Sequence, residues 1–357
     1  MSLRQRDVAE VAYQLLIAED ESAVLEDAEK KFGEKAREII EEARKLVQEV
    51  LEEAGGDAGE AAQRIVAKYG LEVRASSPEE LALIRYMARR SYQPVPEDAI
   101  RDLSSLLETE LRIDDLLRRG ILMHVKPGHV TVPQYVNAEP REITLDVELL
   151  LDEAEHNIVG LAVLESWLES NQPNVEMFEK MYGVPYESAL KSLHLRKLVK
   201  YSEALNDLIF NPLIDVEEFR SLYHSFKQSR AKRILRTLDI GIGHVKYSKR
   251  IGALVACIAF GPGEHGLIIM SPWIVPGRRL ERYCANVARL IVLNIPFRKE
   301  FAEYYHTMLE GTKSFRNTAF VFIQEGVAYL VAPEKRSKTL DSLIDFVYRA
   351  GLEVFEF

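Results

Sequence analysis

Cysteine is almost missing from this sequence. Cys257 and Cys284 are the only two in 357 residues, and both stand in apolar surroundings. Two such residues make no disulfide framework, so the chain reads as a protein of a reducing compartment, with the cytoplasm as its expected location. No apolar run approaches the roughly 20 residues that cross a bilayer, so no membrane partner is expected. The opening MSLRQRDVAEVAYQLL lacks the continuous apolar segment of a signal peptide. Nucleophile elbows and phosphate-binding glycine loops are missing too. His124 and His129 flank one turn, but with no cysteine or third ligand beside them they do not make a zinc site. Glu153-x-x-His156 and Glu303-x-x-His306 each put a carboxylate and an imidazole on one helical face. A di-iron bundle needs both motifs on facing helices with two further glutamates, and here they fall in different domains. No cofactor and no metal is expected, and little in the residues argues for an enzyme.

What is present is ample core material, 47% hydrophobic against 29% charged, in a chain long enough for several domains. Its charge is uneven. Between Glu19 and Glu60 there are fifteen acidic and six basic residues, which accounts for −9 of the net −10. An acidic segment on a near-neutral body leaves room for basic patches elsewhere.

Residues 4–70 read as helices, with Ile39, Ile40, Ala43, Leu46, Val47, Val50 and Leu51 forming an apolar stripe at three- and four-residue steps. Gly33 and Gly55-Gly56 divide the run into a helical hairpin or small bundle. Ser77-Pro78-Glu79-Glu80 is a capping box that opens a new unit. Two further helices follow, from about Glu97 to Leu107 and from about Glu110, and Gly120 stops the second. A hairpin then turns at Lys126-Pro127-Gly128. The order returns: a helix from Glu155 to Ser170, a break at Asn171-Gln172-Pro173, a helix capped by Asn174 and closed by Gly183, a helix over YESALKSLHLRKLV, and a hairpin turning near Asn206-Asp207.

Three helices and a hairpin, given twice, resemble tandem winged helices, and IDDLLRRGILMHVKPGHVTVP is similar to a third helix with its wing. The resemblance covers residues 77–212 at the level of pattern. It is of the kind seen in archaeal winged-helix replication initiators and in chromosome and transcription factors. It implies double-stranded DNA as partner, with the third helix of a unit in the major groove.

One stretch, RILRTLDIGIGHVKYSKR, has at its centre Leu238 to Gly243, which is similar to the glycine-rich opening of an S-adenosylmethionine-dependent methyltransferase. Val245 stands where a third glycine belongs, and seven residues before the next apolar run cannot make a crossover helix. Gly261-Pro262-Gly263 fills the place of the ribose-binding carboxylate. A three-strand meander fits better: Leu238–Tyr247, Ile251–Phe260 and LIIMSPWIV, with Gly241 and Gly243 as strand glycines. Beyond it the sequence predicts helices at 278–293 and 296–309, a hairpin turning at Glu325-Gly326, a helix capped by Thr339 and a closing strand LEVFEF.

The fold expected is therefore multidomain α+β: an acidic helical region (1–74), winged helix 1 (75–150), winged helix 2 (151–213) and a C-terminal α+β domain with an antiparallel sheet (214–357). Basic residues mark the DNA-binding candidates. Lys191, His194, Arg196, Lys197 and Lys200 precede the second wing, with only Glu187 against them. The matching helix of the first unit mixes Arg112, Arg118 and Arg119 with Glu108, Glu110, Asp114 and Asp115, which repel phosphate. Lys227, Arg230, Lys232, Arg233 and Arg236 form a second basic group on one helix, continued by Lys246, Lys249 and Arg250. The function expected is non-catalytic double-stranded DNA binding in replication, transcription or chromosome organisation. An assembly role is the alternative, with residues 19–60 joining a second copy or a protein partner.

Overall fold

The computed structural model describes residues 3–138, 145–168, 174–238, 243–248, 251–273, 279–312, 314–324 and 327–349. Gly241, Lys249, Arg250, the break at 171–173, the turn at 325–326 and the closing LEVFEF lie outside them. The chain divides into two compact units: residues 1–145 with 194–215, and residues 146–193 with 216–357. The acidic region and the first helix-and-hairpin set thus share a unit, while the stretch 151–213 is divided at residue 193.

In the first unit, α1 (Leu3–Ile17), α2 (Glu21–Phe32), α3 (Ala36–Glu53) and α4 (Ala58–Tyr69) form a four-helix cluster. Helix α1 lies innermost, burying Val8, Ala9, Val11, Ala12 and Tyr13. Asp20 caps α2 by accepting the Ser22 amide, and Gly33, at φ +56°, ends it. The stripe on α3 is covered inside the unit: Ile39, Ile40, Ala43, Leu46 and Val50 are buried in the same core as Leu83, Met87, Leu103 and Ile121. Burial of this stripe is what holds α3, a helix otherwise lined with charge, to the unit.

Strand β1 (Val73–Ala75) leads into α5 (Pro78–Arg89), β2 (Val95–Pro96), α6 (Glu97–Leu107), α7 (Ile113–Arg118), β3 (Met123–Lys126) and β4 (His129–Thr131). The capping box is formed in full, Ser77 accepting the Glu80 amide and Glu80 accepting at the cap. Glu80 also takes Arg119 at 2.5 Å. Strands β2, β4 and β3 make an antiparallel sheet in that order, and β1 pairs in parallel with β5 (Val136–Ala138). Strands β6 (His194–Leu195), β7 (Val199–Ser202) and β8 (Asp207–Phe210) form a second antiparallel sheet. It is anchored where the Lys197 amide donates to the Leu106 carbonyl at 3.2 Å and where Ile209 enters the unit's core.

The second unit contains α8 (Val147–Glu153), which the sequence reading missed, α9 (Ile158–Leu168), α10 (Val175–Tyr182), α11 (Tyr186–Lys191) and α12 (Val216–Thr237). A six-stranded sheet follows, its strands adjacent in chain order: β9 (Val245–Ser248), β10 (Ala253–Gly261), β11 (Glu264–Ser271), β12 (Arg289–Leu293), β13 (Thr318–Gln324) and β14 (Val327–Val331). The meander β9–β10–β11 is antiparallel, and β13–β14 is a hairpin. The two central pairings, β11–β12 and β12–β13, are parallel, so the sheet is mixed. α13 (Arg279–Arg282) and α14 (Lys299–Leu309) lie in the two crossovers, and α15 (Lys338–Arg349) ends the described chain. Ser337, whose hydroxyl accepts the Leu340 amide at 3.2 Å, occupies the cap position expected of Thr339.

The helix expected at 278–293 shrinks to α13, because RLIVL at 289–293 is a central strand buried on both faces. Such a strand carries no alternation to distinguish it from a buried helix. One sheet face, with Leu254, Ala256, Ile258 and Leu290, is covered by α12 and α15. The other, with Ala253, Ile269, Ile291 and Phe320, is covered by α10, α13 and α14. Gly243 donates its amide to the Cys257 carbonyl at 3.0 Å, and a Cβ there would stand 3.0 Å from the same oxygen. The glycine permits close strand approach.

Candidate nucleic-acid interface

The structure distributes the ten basic candidates differently from the sequence reading. Only Lys191 is on a helix among the first five: α11 ends there, and His194, Arg196, Lys197 and Lys200 lie on and around β6 and β7. The cause is legible locally. Leu193 and Leu195 are buried while His194 and Arg196 are exposed, a period of two, and Lys197 adopts φ +53° at the turn. There is no basic recognition helix at 186–199.

These cations also have carboxylate partners. Lys191 pairs with Glu187 at 2.7 Å within α11. Arg196 meets Glu108 at 2.5 Å, and Lys197 reaches the same carboxylate at 3.7 Å. The hydrogen bond from Arg196 is the main cause holding the Glu108 carboxyl below its ordinary range. Lys200 pairs with Asp102 at 2.9 Å, both one-fifth exposed. The sheet β6–β7–β8 therefore meets the acidic side of α6 through its own basic residues.

On α12 the residues separate by depth. Lys227 is buried, its ammonium 2.5 Å from Glu165 and 2.7 Å from the Gly252 carbonyl. Glu165 in turn accepts from the Trp273 indole at 2.8 Å and from Tyr223 at 3.3 Å, so the charge pair has hydrogen-bonded company throughout. Lys227 is part of the interior and is removed from the surface candidates. Arg230 is mostly covered and pairs with Glu155, and the desolvation lowers its guanidinium pKa. Arg233 reaches the same Glu155 at 3.3 Å from an exposed position. Lys232 and Arg236 are exposed, and with Ser229 and Arg233 they follow the three- and four-step spacing of one helical face. At the C-terminal end of α12 this positive charge is also favoured by the helix dipole.

Lys246 does not extend that face. Val245 and Tyr247 pack on the core beneath α12, so strand alternation sends Lys246 to the opposite side of the sheet. The acids that neutralise the candidates, Glu108, Asp102 and Glu155, were missed because they stand some 80 to 100 residues away in the chain. Among the described residues no group of three or more His, Cys, Asp and Glu is placed to hold a metal ion, and no helix is long and apolar enough to cross a membrane. Comparisons with protein-family models, curated proteins and solved structures returned no match.

Proposed function

We propose that the chain is a double-stranded DNA-binding protein that meets the phosphate backbone through the exposed basic face at the end of α12. The observation that carries this reading is the exposed pair Lys232 and Arg236 on one face of α12, with Arg233 beside them sharing Glu155 from an exposed position, where Arg196, Lys197, Lys200 and Lys227 are drawn into ion pairs with Glu108, Asp102 and Glu165. In the same proposal α5–β2–α6–α7–β3–β4 is a winged helix: a strand between its first two helices joins the hairpin in the order β2-β4-β3. Its third helix, α7, has Asp114 and Asp115 in the first turn, which suits packing or protein contact better than phosphate.

The test is fluorescence anisotropy with a random-sequence duplex over a salt series. Lys232→Glu with Arg236→Glu is expected to weaken binding and to flatten the salt dependence by roughly one unit of slope per lost phosphate contact. Arg196→Glu with Lys197→Glu should act far less. Equal losses from the two pairs would refute the α12 assignment, and no salt-dependent binding would refute the function. An assembly role is the second reading, favoured by the exposed acidic outer faces of α2 and α3, whose apolar stripe is already covered. Those faces suit a basic protein partner.

A further inference from the structure

A cleft of about 460 Å³ opens in the second unit between the start of α9, the end of α10 and the segment Pro296-Phe297-Arg298 ahead of α14. Ile158, Val159, Met181 and Phe297 give it apolar walls, and His156 and Arg298 stand at its polar side. The lining is braced by contacts of its own. Phe297 stacks on Tyr329 at 5.4 Å with rings 15° from parallel. Tyr182, also in the lining, donates its hydroxyl to the Trp273 carbonyl. Asn157 caps α9 by accepting the Gly160 amide at 2.9 Å.

Arg298 is the feature that points to a ligand. Gly183 closes α10 at φ +69°, and a Cβ on it would fall 1.7 Å from Nη1 of Arg298. The guanidinium fills the space that a side chain on Gly183 would occupy, a place no other residue could leave open. Its Nε is buried with no hydrogen-bond partner. The carboxylate paired with it, Glu300, is 3.8 Å away on a side chain that is 62% exposed, too far for a hydrogen bond. A guanidinium seated on glycine backbone beside an aromatic wall offers a fork for a planar or tetrahedral anion. The volume is that of a small-molecule site, and the lining sets an apolar wall against a polar side of comparable extent.

We propose that this cleft binds a small aromatic anion, with its carboxylate or phosphate on Arg298 and its ring between Phe297 and the aliphatic wall of Ile158 and Met181. The site is independent of the basic face of α12, so either assignment can fail alone. Isothermal titration of the full chain with phenyl phosphate and with benzoate tests it, and inorganic phosphate and phenol supply the separate halves. Saturable one-to-one binding is expected for at least one aromatic anion, about tenfold or more tighter than for either half. The arm that binds identifies the anion. Arg298→Gln should weaken it by about tenfold or more, with Arg298→Lys in between because it keeps charge but not the fork. The melting temperature of Arg298→Gln should stay near that of the parent, which separates loss of the site from loss of the fold. Gly183→Ala should weaken binding as Arg298→Gln does, by displacing the guanidinium. Absence of saturable binding by both anions overturns the proposal. So does Arg298→Gln with unchanged affinity, or phosphate or phenol alone binding as tightly as the aromatic anion.

Discussion

His124 on β3 stands between two carboxylates brought from different elements of the first unit. Its Nδ1 lies 2.8 Å from Asp27 on α2, and its Nε2 lies 2.8 Å from Glu97 at the start of α6. The imidazole is only 11% exposed. With an acceptor on each nitrogen, the ring is best served by the doubly protonated form. Hydrogen bonding to Asp27 is the leading cause that raises its pKa from 6.5 to about 9; Glu97 adds to it and burial opposes it. A folded pKa above the unfolded value means stability that is full below pH 6.5 and is lost as pH rises through about 9. One pKa unit corresponds to about 1.4 kcal/mol, so the contribution is roughly 3 kcal/mol at its plateau and about 2.5 kcal/mol at neutral pH.

Replacing His124 by Gln tests this. Glutamine keeps hydrogen-bonding capacity toward one carboxylate but brings no charge, leaving Asp27 and Glu97 without their shared cation. At pH 7 the variant should lose about 2–3 kcal/mol in urea unfolding followed by far-ultraviolet circular dichroism. Both tryptophans, Trp167 and Trp273, belong to the second unit, so fluorescence provides a separate trace of that unit. Between pH 7 and 10 the wild type should fall toward the variant, and the gap between them should close to a few tenths of a kcal/mol. Taking the difference cancels the lysines, tyrosines and cysteines that titrate in the same range. A gap that stays constant from pH 7 to 10 would refute the clamp, as would an NMR titration placing the His124 ring near its ordinary value.

The buried pair on α12 supplies another test. Lys227→Met leaves the Glu165 carboxylate without its cation and is expected to cost about 3–5 kcal/mol, while adding Glu165→Gln should restore part of the loss; Trp273 fluorescence on urea unfolding follows both, and a neutral Lys227→Met would contradict the structure. Gly243→Ala should destabilise by about 1 kcal/mol or more, since its Cβ would press inside van der Waals contact of the Cys257 carbonyl, at 3.0 Å. Calorimetry of the same variant and its parent with S-adenosylmethionine should show no saturable heat, and micromolar binding abolished by the substitution would overturn the strand reading.

Elements announced by local chemistry were legible. The capping box at Ser77, the helix over 97–107, the cap at Asn174, the stop at Gly183 and the hairpin around Lys126-Pro127-Gly128 all depend on residues within four positions of one another. The meander was legible because a short turn cannot hide a helix, but its first strand begins at Val245 rather than Leu238, which directly follows α12, and Gly243 lies ahead of the strand. What the sequence did not disclose depends on distant partners. RLIVL becomes a strand only because β11 and β13 flank it in parallel register. The stripe on α3 looked available to a partner because its cover, the buried Val8, Val11, Ala12 and Tyr13 of α1, lies some thirty residues away in the chain and nothing local assigns it to α3. Of the candidate site, Lys232 and Arg236 were found together with residues that proved to be interior, since Lys227 is indistinguishable from them until Glu165 is placed beside it.

Charge in a linear window is therefore poor evidence for a phosphate-binding face unless the opposing charges are located as well. Residues 191–200 carry four cations against one nearby acid, yet Glu108 and Asp102 on and beside α6 meet three of them. The pairs are unequal, and this ranks the candidates. Arg196 and Glu108 are about half and one-third exposed, so water and salt screen their attraction and a polyanion can compete for the arginine. Lys200 and Asp102 are more shielded, and Lys227 with Glu165 is buried outright, where separating the charges leaves one of them unsolvated. The order of availability to DNA that follows is Lys232 and Arg236 first, Arg233 and Arg196 next, Lys200 after them, and Lys227 not at all. Because each cation that joins the phosphate contacts steepens the salt dependence, single charge-neutralising substitutions along that series should change the slope in the same order.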